Sequence, residues 1–98
     1  MSKPAPIGLN DIVAKSENFV ESNVDGEAIL MHLDEGNFSS LKSTGLRIWA
    51  ELEEPKTVAV ICQNLMAEFE VEEADCQEQT IAFLSNLRER GLIETRDS

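Results

Sequence analysis

The sequence predicts an α+β domain of winged helix-turn-helix-like type, a three-stranded antiparallel meander followed by three helices. Three observations predict it. Apolar residues recur with period two in the first half of the chain and with period 3.6 in the second. Two glycine-containing turns, Asp25-Gly26 and Asp34-Glu35-Gly36, divide the period-two region into three segments. Pro55 and Gly91 then punctuate the helical region, where helices stop.

Each element follows in order. Asn18–Asn23 forms a first strand, and Asp25-Gly26 favours the type I′ turn that suits a tight hairpin. Glu27–Leu33 is the second strand, rich in branched and long apolar side chains. Asp34-Glu35-Gly36 fits a longer loop with its glycine in the left-handed conformation. Phe38–Leu41 is a short third strand, so the first and third strands are the edges of the meander. Ser43 is placed to cap a helix over Thr44–Glu53, with Gly45, Ile48, Trp49 and Leu52 on its inner stripe. Thr57 caps the next helix, where Val58, Ile61, Cys62, Leu65 and Phe69 share one face. The last helix runs from about Glu73 to Arg90, with Cys76, Thr80, Phe83, Leu84 and Leu87 on its apolar stripe. Acids crowd its first turns and Arg88 and Arg90 its last, which complements the helix dipole. Gly91 and Leu92 have the pattern of a Schellman terminator, and Leu92-Ile93-Glu94 adds a short wing-like tail.

Ninety-eight residues support one domain with one modest core. No apolar run reaches the length of a membrane span, and the first residues, Met1 to Pro6, lack an apolar signal stretch; a cytoplasmic protein is expected. Residues 1–8 read as a flexible lead-in, 9–94 as the domain and 95–98 as a flexible tail. Cys62 and Cys76 have neither disulfide-scaffold nor zinc-site spacing and read as small buried residues. The net charge is −11, and Glu51 to Glu78 holds nine acids against one base, Lys56. Nucleic acid binding draws on clustered Lys and Arg, so this balance argues against it.

Catalysis finds no support in the residues. His32, the sole histidine, alternates with Leu30 on a strand and reads as a packed or rim side chain. Neighbouring acids such as Glu53-Glu54 and Glu72-Glu73 point to different helix faces, where they are solvated. No phosphate-binding glycine loop and no metal-ligand spacing is present, and no cofactor is expected.

Taken together, Asp25-Gly26-Glu27, Gly36, Phe38 with Leu41, Thr44-Gly45, Ile48-Trp49, Ala82-Phe83-Leu84-Ser85-Asn86-Leu87 and Arg90-Gly91-Leu92-Ile93 resemble the PqqD-like family, the RiPP recognition elements. The likeness spans roughly residues 9–94. The chain departs from the family at Gln79 and Glu72, where an Asp is usual; Gln79 offers a hydrogen bond but no charge. The resemblance implies a domain that binds the leader segment of a ribosomally made precursor peptide. The leader would add as a strand beside the third strand, in the cleft facing the last helix. It implies partners too: a maturation enzyme, either a lasso-peptide leader peptidase or a radical S-adenosylmethionine enzyme.

The physics of an edge strand suits that role, because unpaired backbone groups accept an extended peptide. Asn37, Phe38, Ser39, Ser40 and Leu41 carry neither Pro nor Lys to guard the edge. Each added backbone hydrogen bond contributes only about 0.5–1.5 kcal/mol net. Apolar anchors must supply the surplus, at about 1.5–3 kcal/mol per buried large side chain. The candidate pocket walls are Phe38, Cys76, Thr80 and Phe83, with Gln79 as a polar register contact. Ser39→Pro should weaken binding if the Ser39 amide faces the peptide. The same edge also allows pairing with itself, so a monomer and an edge-strand dimer are both open. Two other readings stand beside the adaptor: a winged-helix transcription regulator, disfavoured by the acidic start of the last helix, and a scaffold subunit that binds no peptide.

Overall fold

The computed structural model describes residues 6–34 and 36–96. Strand β1 (Ile12–Lys15) opens the chain, followed by β2 (Phe19–Val24), β3 (Glu27–His32) and β4 (Phe38–Lys42). Helix α1 (Thr44–Glu51), the two-residue β5 (Lys56–Thr57), helices α2 (Val58–Glu68) and α3 (Glu73–Glu89), and β6 (Ile93–Arg96) complete it. Strands β2-β3-β4 form the antiparallel meander, with β2 and β4 at its edges. A second antiparallel sheet, ordered β5-β1-β6, joins the two ends of the chain. The three helices and the meander match the α+β expectation; β1 and β5 are additional, and the wing-like tail is the paired strand β6.

Local sequence explains the turns. Asp25 and Gly26 both take positive φ, 49° and 79°, as a type I′ turn requires, and Val24 pairs directly with Glu27. Gly36 is left-handed at φ 70°; Glu35 lies outside the described residues. At the end of α3 the Leu92 amide donates to the Leu87 carbonyl and Gly91 to that of Arg88, both at 3.0 Å. These two bonds make the expected Schellman motif.

The helix starts divide. Thr57 Oγ1 accepts from the Val60 amide at 3.3 Å, as a cap should. Ser43 makes no side-chain cap bond, contrary to expectation. A capping side chain needs extended backbone at its own residue, whereas Ser43 sits at φ 55°, where β4 turns straight into α1.

The core lies between the inner face of the meander, the second sheet and the helices. Leu30, Ala28, Trp49, Leu52, Val58, Ile61, Leu84 and Leu87 are its buried members. Ile7 is buried with them and β6 runs to Arg96. Packing therefore extends past the expected limits at residues 9 and 94; residues 1–5 and 97–98 lie outside the described residues. Both cysteines are free and buried, as expected. Burial pushes the Cys62 thiol up.

One polar cluster ties α1 to α2. Glu51 is nearly buried, and burial pushes its carboxyl up. Hydrogen bonds from Asn64 and Arg47, with the charge of Lys56, outweigh this and hold it below the ordinary 4.5. A carboxylate depressed in the folded state stabilises the fold above its unfolded pKa, and that contribution disappears as pH falls through the folded value. Stability to urea should therefore fall as the pH drops below about 4.5, and Glu51→Gln should flatten that loss. An unchanged acid limb in the variant would remove Glu51 from the account.

Candidate functional site

Strand β4 presents the candidate surface. The His32 amide donates to the Asn37 carbonyl at 2.9 Å, which makes these two a hydrogen-bonded pair. Antiparallel ladders alternate, so Leu30/Ser39 and Ala28/Leu41 are the next bonded pairs in this register. The backbone groups of Ser39 and Leu41 thus point to β3, while those of Phe38, Ser40 and Lys42 point outward. No described strand pairs with that outer edge. This parity corrects the expectation for Ser39→Pro. Its amide belongs to the internal ladder, and the outward donor is that of Ser40.

Side chains alternate the other way. Ser39 and Leu41 are buried toward the helices, whereas Phe38 and Ser40 are exposed. The Phe38 ring is 69% exposed and shares the outer sheet face with Met31, its cross-strand partner. Phe38 does not line the cavity that Cys76 and Thr80 line. Its ring stands beside any strand added at the edge, where cross-strand contacts form.

Two cavities flank β4. The one at its start, about 410 Å³, is lined by His32, Asn37, Phe38, Ser39, Glu89, Arg90 and Leu92. Arg90 Nη1 donates to Ser39 Oγ at 2.9 Å and ties the end of α3 to the strand. The other, about 210 Å³, lies beyond the strand's end between α1 and α3. Ile48, Leu65 and Val71 give it apolar walls, Phe69 is 46% exposed beside them, and Cys76, Gln79 and Thr80 close one side. This second cavity suits an apolar anchor.

The structure thus splits the expected site residues. Asn37, Phe38 and Ser39 gather at one cavity, and Cys76, Gln79 and Thr80 at the other. Ser40, Leu41 and Phe83 line neither. Leu41 is core, and Phe83 packs on α1 at Gly45, where an added Cβ would lie 3.1 Å from its Cε1. Phe69, expected on the buried face of α2, is instead that helix's C-cap. Sequence reading also passed over Arg90 and His32 as site residues. Nothing local joins Arg90 to Ser39, which only the tertiary fold brings together.

No group of His, Cys, Asp or Glu among the described residues is arranged to hold a metal ion. No helix there is long and apolar enough to cross a membrane.

Comparison with protein families gives a match over residues 27–93 to the model of coenzyme PQQ synthesis protein D (PqqD). The chain belongs to the PqqD family. This PqqD-family chain is also similar to two solved structures. TbiB1, in complex with the TbiA(beta) leader peptide, shares 32% identity over 83% of this chain and 94% of its own, with a TM-score of 0.77. A lasso peptide synthetase B1, complexed with the leader peptide, has 23% identity over 84% of this chain and 96% of its own, with a TM-score of 0.75. The second likeness bears on the fold alone. No curated protein matches the PqqD-family chain.

Proposed function

We infer that this chain is an adaptor that captures the leader segment of a ribosomally made precursor peptide and presents it to a maturation enzyme. The observation that carries the reading is the likeness to TbiB1, whose structure contains the TbiA(beta) leader peptide. The open edge of β4, with a cavity at each end, supplies the means: backbone pairing at Phe38, Ser40 and Lys42, and an anchor beside Cys76, Gln79 and Thr80. The maturation enzyme it serves is a lasso-peptide leader peptidase or a radical S-adenosylmethionine enzyme. The adaptor binds and positions without catalysing, and it works in the cytoplasm.

Charge argues against the transcription-regulator reading. Glu73 and Asp75 occupy the first turn of α3, the helix that a winged-helix regulator would lay against DNA. The test is an anisotropy titration of the purified chain into a fluorescein-labelled leader from the precursor-like reading frame beside its gene, with labelled duplex DNA as control. Saturable binding of the leader at micromolar concentration or below, without DNA binding, supports the adaptor. A folded chain that ignores the leader leaves the scaffold reading, and DNA binding reverses the charge argument.

A further inference from the structure

The cavity at the start of β4 holds a cation in a domain that is otherwise strongly acidic. Arg90 is the C-cap of α3, and its bond to Ser39 uses one of the five guanidinium N–H donors on a neutral partner. Among the described residues Arg90 enters none of the ion pairs that tie Lys15, Lys42, Arg47, Lys56 and Arg96 to carboxylates. The fork that remains is planar and suited to a carboxylate. Beside it His32 carries a buried Nδ1 with no hydrogen-bond partner, and Leu92 is buried. The exposed Glu89 also lines the cavity, and together with the net charge of −11 it opposes a second negative charge.

Resting on the leader-binding reading above, we propose that Arg90 recognises a single Asp or Glu side chain of the bound leader and thereby sets its register. Ser39, Arg90's partner, faces the inner side of the sheet, and the second cavity lies on that helical side too. Residues of an added strand alternate between faces, so the acid and the apolar anchor fall an even number of positions apart. Five residues of β4 span about 17 Å, which sets the separation at about four or six positions.

The test is selection of a displayed library of random 12-residue peptides on the intact chain, repeated on Arg90→Gln and Arg90→Glu. Wild type should enrich an Asp or Glu four or six positions from an apolar residue. Arg90→Gln, which retains a donor for Ser39, should keep the apolar anchor and lose the acid. Arg90→Glu should exchange the acid for Lys or Arg. A selected acid-bearing peptide should bind Arg90→Gln about three- to tenfold more weakly, with the thermal midpoint of the domain unchanged. Anchored peptides with no acid preference, or a preference that survives Arg90→Gln, would overturn the assignment of Arg90 alone. Enrichment of no peptide at all would overturn leader binding itself and this proposal with it.

Discussion

Trp49→Ala should lower the unfolding free energy by about 3–5 kcal/mol, a large share of the total for a domain of this size. The side chain is 1% exposed, so the substitution leaves a cavity among Leu30, Leu52 and their neighbours rather than a solvated gap. Its position explains why the loss spreads. Trp49 Nε1 donates to Glu21 Oε1 at 3.0 Å, the Phe19 ring meets it edge-on with centroids 5.4 Å apart, and Lys15 Nζ lies 4.5 Å from the ring centroid. Those partners belong to β1 and β2, so one indole on α1 joins both sheets to the helices. Trp49→Phe keeps most of the apolar burial and removes the N–H donor, which should cost about 1–2 kcal/mol. Urea denaturation of the three proteins measures both differences. Equal losses for Phe and Ala would assign the effect to the Glu21 bond and not to packing.

Ser40→Pro should weaken leader binding by at least about tenfold while stability stays within about 1 kcal/mol of wild type. The ladder places the Ser40 amide outward, so proline removes no backbone bond to β3, only the exposed donation from Ser40 Oγ to Glu27 Oε2 at 3.2 Å, and edge strands tolerate it there. What it removes is a donor for the incoming strand, and its ring also occupies the space where that strand approaches. Ser39→Pro should behave differently. It breaks the internal ladder beside the Arg90 contact, and its binding loss should come with a loss of stability. Anisotropy titrations paired with thermal melts separate the two. A stable Ser40→Pro protein with wild-type affinity would exclude pairing at this edge.

How far the sequence carries the fold depends on whether the determining contacts are local. The type I′ turn at Asp25-Gly26, the Thr57 cap and the Schellman motif at Gly91-Leu92 each depend on residues within one turn of one another, and each is legible. The second sheet is not. Its pairs join Ile12 to Arg96 and to Thr57, across most of the chain, and β1 gives no alternating signal because Val13 and Ala14 are buried in succession. The Ser43 cap fails for a related reason. Its residue type fits a cap, but the tight passage from β4 into α1 dictates its backbone. At the site, the edge strand and the Cys76/Gln79/Thr80 face follow from periodicity and family resemblance. Arg90 and His32 do not, because their cavity is made by the end of a helix meeting the start of a strand far from it in sequence.

Strand addition at β4 is open to a test by amide hydrogen exchange, read residue by residue by NMR. In the free chain the outward amides of Phe38, Ser40 and Lys42 should exchange fast, and those of Ser39 and Leu41 slowly. On saturation with leader peptide the outward three should become protected while Ser39 and Leu41 change little. Saturable binding that leaves Phe38, Ser40 and Lys42 unprotected, or that protects the outer edge of β2 in their place, would contradict it.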